Sequence, residues 1–276
     1  MIDDPKHADD DGLPSGQVPP RRRGIYVLPN AITLAALFSG FYGIVMAMNG
    51  RFELACIAIF CAAVLDSLDG RVARMTNAQS AFGEQMDSLC DMVSFGAAPA
   101  LIVYIWGLKD LGRWGWVAAF VYIAGAALRL ARFNVNIAVV DKRFFQGLPS
   151  PAAAAMVMGL IWVMDDAGLK AASRTDWLAW VAFAVTLFAG LSMVTNAPFY
   201  SFKVVGGRRT VPFVVLVAIV LVIALVALDP PRVLFAIFCA YGLSGYAVYG
   251  WRKYTGKRAS VIAISTDEPE EKGLHP

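Results

Sequence analysis

Histidine is nearly missing from this 276-residue chain: there are two, His7 and His275, one near each end. No histidine base, Ser-His-Asp triad or histidine-liganded zinc site can therefore form in the body of the protein. The four cysteines (Cys56, Cys61, Cys90 and Cys239) stand singly in apolar stretches with no CxxC pair, which leaves them as buried structural thiols. Charge is scarce as well. Asp, Glu, Lys and Arg make up 16% of the residues, against about 25% in a soluble domain, while hydrophobic residues reach 58% and mean hydropathy is +0.58. Such a composition marks an integral membrane protein. No repeat of fixed period and no soluble second domain are visible, and no nucleic-acid partner is expected.

A membrane span needs roughly 20 apolar residues, fewer where it is buried in a bundle. About eight segments qualify: 27–48, 53–74, 84–106, 114–136, 148–164, 177–197, 211–228 and 231–249. The expected fold is all-α, a polytopic bundle of about eight transmembrane helices. The fifth segment is the weakest, being short and rich in Ala; the second and third are weakened by acidic residues. Lys and Arg accumulate in cytoplasmic loops. With the N-terminus inside, Lys6, Arg21 to Arg23, Arg71, Arg74, Arg129, Arg132, Lys142, Arg143, Lys203, Arg208, Arg209 and the basic residues from Arg252 to Lys272 fall on the cytoplasmic side. Only Arg51, Lys109, Arg113, Lys170, Arg174 and Arg232 stay outside. Both termini are expected in the cytoplasm. Residues 1–20, acidic and without periodicity, read as a disordered cytoplasmic tail, 21–251 as the membrane domain, and 252–276 as a second cytoplasmic tail. Arg21 to Arg23 precede a full-length span rather than a short apolar stretch with a cleavage site, so the first helix is expected to be uncleaved.

Scarce charge makes its one concentration conspicuous. Residues 66–91 read DSLDGRVARMTNAQSAFGEQMDSLCD, and carboxylates at membrane depth are costly enough to be read as a functional site by default. Asp66 and Asp69 lie three residues apart, roughly 60° around a helix and about 4.5 Å along it, with Gly70 and Ala73 on the same face. Gly83, Asp87 and Asp91 recur every fourth residue and also share a face. Two antiparallel helices joined by a short loop over 75–82 would aim four carboxylates at one point, and four anions at one point require cations. Oxygen ligands without nitrogen or sulfur suit Mg²⁺, Mn²⁺ or Ca²⁺ rather than zinc. Four carboxylates exceed what one Mg²⁺ usually takes, so a pair of ions about 3.5–4 Å apart, as in displacement at phosphorus, fits the count better. Arg71 and Arg74 are placed to hold phosphate oxygens. Gly70, Ala73 and Gly83 are small enough for a nucleotide or a neighbouring backbone to come close.

DxxDGxxAR, eight residues, then GxxxDxxxD is the signature of the CDP-alcohol phosphotransferases, which this chain resembles at Asp66, Asp69, Gly70, Ala73, Arg74, Gly83, Asp87 and Asp91 without departure. Within that family LPNAIT at 28–33, FGEQMDSLCDMVSFGAAPA at 82–100, LRLARFNV at 128–135, FQGLPSPAAAA at 145–155 and YSFK at 200–203 resemble the bacterial and archaeal CDP-diacylglycerol:serine phosphatidyltransferases. The resemblance implies attack of the L-serine hydroxyl on CDP-diacylglycerol with release of CMP, in the inner membrane of a prokaryote with the site facing the cytoplasm. It further implies Asp66, Asp69 and Asp87 as metal ligands, and Asp91 as a shared ligand and the general base. Gly70, Ala73 and Gly83 would line the cytidine pocket and Arg74 would sit by the diphosphate, with Asn30, Thr33, Asp66 and Asp69 also in the CDP-diacylglycerol site. A homodimer formed through membrane helices is implied too.

Other residues have competing explanations. Asn30 follows Pro29 at a helix start, where N-capping and a phosphate contact stand level. Glu84 points off the Asp87 and Asp91 face by its spacing, which favours a helix N-terminal role. Arg129 and Arg132 satisfy the positive-inside rule, yet a serine carboxylate needs a cation, and they are the expected serine-binding pair, with Arg132 weighted more heavily. Lys142, Arg143, Arg208 and Arg209 read as a headgroup belt. Two further readings are a sibling enzyme with another acceptor (glycerol 3-phosphate, inositol phosphate or an amino alcohol) and a divalent-cation transporter. Transporters place sites near the midplane, often between repeated halves; here the cluster occurs once and towards one face.

Overall fold

The computed structural model describes residues 27–76, 78, 80–135, 144–169, 177–200 and 213–255. Among them every one of the expected apolar segments is a helix: α1 (Val27–Met48), α2 (Phe52–Met75), α3 (Ala81–Leu111), α4 (Arg113–Val135), α5 (Ser150–Asp166), α6 (Trp177–Val194), α7 (Phe213–Leu228) and α8 (Pro230–Tyr254). Five of these, α1, α3, α4, α6 and α8, are long and apolar enough to cross a membrane by length and composition, and α7 is a shorter apolar helix. The two that fall short do so for physical reasons. Helix α2 carries Glu53, Asp66, Asp69, Arg71 and Arg74, and α5 has only 17 residues.

The weak hydropathy of α5 has a structural cause. From Ala152 to Ile161 every residue is buried, against α2, α6 and α8. It is the central post of the bundle, facing protein rather than lipid, so Ala suits it better than Leu because small residues let neighbouring backbones approach. Helix α7 is the opposite case. None of its residues is buried, and Val220 and Leu221 are 58% and 60% exposed. Together with Phe38, Leu101 and Trp116, also exposed, they form the kind of apolar exterior expected of a protein embedded in lipid.

An all-α expectation needs one correction. Phe144–Gln146 (β1) and Pro198–Tyr200 (β2) pair antiparallel, with Phe145 opposite Phe199. The chain entering α5 and the chain leaving α6 meet at the same end of the bundle, and pairing satisfies backbone groups that a helix no longer serves.

Helix α3 is not uniform. Its first α-helical part, Ala81–Asp91, passes directly into a π-helical segment, Met92–Ala97, and a second one follows at Tyr104–Leu108. Such wide turns are rare and leave the carbonyl ladder irregular. Here the fully buried Tyr122 of α4 donates its hydroxyl to the carbonyl of Phe95 at 2.9 Å. Ser94 likewise donates to the carbonyl of Ala36 on α1 at 3.3 Å. These bonds brace α3 immediately after Asp91.

At the far end from the acidic cluster, Arg232 bridges Asp166 of α5 (3.3 Å) and Asp229. Through that hydrogen bond the guanidinium holds the Asp229 carboxyl below the usual carboxylate range.

Candidate active site

Helix α2 ends at Met75 and α3 starts at Ala81, so the two run antiparallel through a short connection, as the spacing of their aspartates requires. Ser80 caps α3, its hydroxyl accepting from the Gly83 N–H at 3.0 Å. The result brings Asp66, Asp69 and Asp87 together, each offering a carboxylate oxygen within 4.8 Å of the others. Asp66 and Asp87 are half-buried, whereas Asp69 is only 5% exposed. Thr33, which donates to the carbonyl of Pro29 at 3.1 Å, and the Gly70 backbone N–H lie against the Asp69 carboxylate. Its Oδ2 is nonetheless buried without a hydrogen-bond partner. A buried carboxylate oxygen left unsatisfied is expensive. On a residue that shares a cluster with two other carboxylates, such an oxygen is a donor a divalent cation would take, so the residues fit such an ion.

Asp91 joins through Asp66. Asp66 is its neighbour, and Asp87 and Arg129 are the other charged groups beside it. Carboxylates gathered in this way favour a cation or a proton among them.

Beside the carboxylates opens a cavity of about 130 Å³. It is lined by Asn30, Thr33, Asp69, Gly70, Ala73, Arg74, Gly83 and Asp87, which brings every expected CDP-diacylglycerol residue except Asp66 to one cavity. Arg71, by contrast, is exposed and takes no part in the lining. Pro29, Ala78, Ser80 and Glu84 complete it. Asn30 lies inside the first turn of α1 rather than at its cap. Glu84 lines the cavity, because the N-terminal turn of α1 closes over the first turn of α3 on a side that α3 spacing alone does not reveal. Ser80, absent from the sequence reading, had a signal: a serine three residues ahead of Gly83 at a helix start.

The two arginines of α4 part company. Arg129 is half-buried and donates from Nη1 to the Ser150 hydroxyl of α5 at 2.6 Å, with Asp91, Asp66 and Tyr241 as its charged or polar neighbours. Arg132 donates to the carbonyl of Val194 at 3.2 Å and to Asn196 Oδ1 at 3.1 Å, tying α4 to the end of α6. Arg129 therefore neighbours the acidic cluster, whereas Arg132 ties α4 to the end of α6. Lys142, Arg143, Lys203, Arg208 and Arg209 lie outside the described residues.

Residues 26–188 match the family model described as CDP-alcohol phosphatidyltransferase. The chain belongs to that family. A CDP-diacylglycerol--serine O-phosphatidyltransferase of Helicobacter pylori is 36% identical over 219 residues, 79% of this chain and 90% of the relative. One of the same name from Mycobacterium bovis is 33% identical over 234 residues, covering 81% and 79% of the two chains. The archaetidylserine synthase of Methanothermobacter thermautotrophicus is 36% identical over 132 residues, 47% of this chain and 55% of its own. The matched region of the family model includes the whole acidic cluster and Arg129.

Proposed function

We propose that this protein is a phosphatidylserine synthase, transferring the phosphatidyl group from CDP-diacylglycerol to the hydroxyl of L-serine and releasing CMP. The observation that carries the reading is the meeting of Asp66, Asp69 and Asp87, with the Asp69 Oδ2 buried and unsatisfied, beside a cavity walled by Gly70, Ala73, Gly83 and Arg74. The shared serine acceptor in the names of the relatives supports the choice of alcohol.

In this reading the nucleotide end of CDP-diacylglycerol lies over Gly70, Ala73 and Gly83, whose small size leaves it room. Arg74, a planar fork of donors, holds its diphosphate. Asp66, Asp69 and Asp87 hold Mg²⁺ or Mn²⁺, two ions in the reading we favour, with Ca²⁺ as another ion of suitable ligand chemistry; bound there, such ions supply Lewis-acid stabilisation of phosphate oxygens and of the leaving group. Asp91 takes the proton of the acceptor hydroxyl as its oxygen bonds to the β-phosphorus and the bond to CMP breaks. Arg129 receives the serine carboxylate beside Asp91. The site opens to the cytoplasm of a prokaryotic inner-membrane protein of about eight spans with both termini inside, supported by the distribution of Lys and Arg. Residues 21–251 form the catalytic membrane domain, and a homodimer is part of the same proposal.

The test is CMP release by purified protein from CDP-diacylglycerol across a panel of acceptors, with and without EDTA. Serine-dependent, EDTA-sensitive release is expected. Preferential use of glycerol 3-phosphate or inositol phosphate would assign the chain to a sibling activity, and no acceptor-dependent release at all would refute the enzymatic reading.

A further inference from the structure

The motif FQGLPSPAAAA contributes no carboxylate to the metal cluster, yet the chain around it is held with unusual care. Gly147 has φ +80°, a region open to glycine at little penalty. Its N–H donates to the carbonyl of Ala197 at 3.0 Å, and the next N–H, of Leu148, to the carbonyl of Ser192 at 2.9 Å. A Cβ at Gly147 would run into the carbonyls of Met193 and Thr195. The turn is therefore clamped against the end of α6, and it delivers Ser150, fully buried, as the first residue of α5.

What Ser150 meets there is the Arg129 guanidinium, at 2.6 Å. Asp91, Asp66 and Tyr241 of α8 are the other charged or polar groups near that guanidinium. Tyr241 is steadied by its ring contact with Phe199 of β2, centroids 5.7 Å apart. An arginine this close to two carboxylates and free to move would pair with them, removing both the cation and the base from use. A neutral oxygen fixed by a rigid turn prevents that collapse while using only one of the five guanidinium donors.

We propose that the 147–150 turn is a seat for Arg129: Ser150 is a positioning residue that holds the guanidinium in register with Asp91 to bind the acceptor's carboxylate, and Tyr241 closes the same subsite. This rests on the serine reading above and extends it to α5 and α8. The subsite recognises an α-amino acid by its carboxylate, one residue away from where the hydroxyl is deprotonated.

The experiment compares wild type, Ser150→Ala and Tyr241→Phe in detergent, measuring KM for serine, KM for CDP-diacylglycerol, and thermal stabilisation by CDP-diacylglycerol with Mn²⁺. Ser150→Ala is expected to raise serine KM about tenfold, the effect of losing one hydrogen bond to a charged group, and Tyr241→Phe to raise it in the same direction by a smaller factor, with CDP-diacylglycerol KM and stabilisation within twofold of wild type for both. The preference for serine over ethanolamine, which lacks the carboxylate, falls in parallel. Unchanged serine KM in both variants, with wild type active on serine, overturns the seat alone. Equal loss of CDP-diacylglycerol binding also overturns it, because the effect would then be general. Should Ser150→Ala not purify as a folded protein, Tyr241→Phe decides by the same split. Failure of wild type to use serine overturns the assigned function and this inference with it.

Discussion

Asp69→Asn separates a metal ligand from a structural aspartate, because the two roles predict opposite signs for stability. The carboxylate is 5% exposed and its Oδ2 is unsatisfied. Without a cation, such a group is a liability of about 1–3 kcal/mol, more when ionised. Asparagine has nearly the same shape and no charge, so the metal-free variant should be as stable as wild type or more so. With Mn²⁺ at a hundred times its Kd, wild type gains about 2.7 kcal/mol from binding. If losing this ligand weakens binding about a hundredfold, the lower bound set by the effects of outer-shell partners, the same concentration stabilises the variant by only about 0.4 kcal/mol. Turnover should fall by roughly a hundredfold to a thousandfold, as when a preorganised electrostatic group is removed. The assay is thermal unfolding in detergent, in EDTA and across a Mn²⁺ titration, alongside CMP release. An Asp69→Asn protein that keeps both the wild-type Mn²⁺ shift and near-normal turnover would refute the ligand assignment. A variant destabilised even in EDTA would make Asp69 a structural residue.

Asp91→Asn should lower kcat about a hundredfold to ten-thousandfold, the usual contribution of a positioned base, with little change in CDP-diacylglycerol KM; an equal loss in KM would mark it as chiefly a ligand. Arg129→Ala should raise serine KM roughly tenfold to a hundredfold, whereas Arg132→Ala should leave serine KM nearly unchanged and lower the melting temperature, since it releases Val194 and Asn196; the reverse pattern in steady-state kinetics would restore Arg132 to the acceptor site. Gly70→Ala should fold normally, because its Cβ would meet only Arg74 Nη1 at 3.7 Å, and Ala is the better helix former. Its CDP-diacylglycerol KM should nevertheless rise, by roughly fivefold to a hundredfold for a misfit of about 1–3 kcal/mol; wild-type KM would mean the nucleotide does not pass over this face. EDTA should silence the enzyme, with Mg²⁺ or Mn²⁺ restoring it and zinc substituting poorly for lack of a soft ligand; efficient rescue by zinc alone would count against an all-oxygen site.

The sequence by itself determined that the chain lives in a membrane, where the eight helices among the described residues run, and that Asp66, Asp69 and Asp87 converge. Each of these follows from local rules. Apolar run length sets the helices, and spacings of three and four set the carboxylate faces, so a short connection between α2 and α3 leaves them little choice but to meet. What lies between elements distant in sequence was decided by the tertiary structure alone. Arg129 and Arg132 differ by roughly 60° around one helix, and only the packing of α4 against α6, with the start of α5 brought alongside, sends the first to Ser150 and the second to Val194. The burial of α5, weak by hydropathy, depends on the neighbours that surround it. Glu84 and Asn30 reach the cavity because α1 closes over the start of α3, and the π-helical turn after Asp91 is braced by Tyr122 from a different helix. Periodicity reports which way a side chain leaves its own helix; what it meets there depends on how the helices cross.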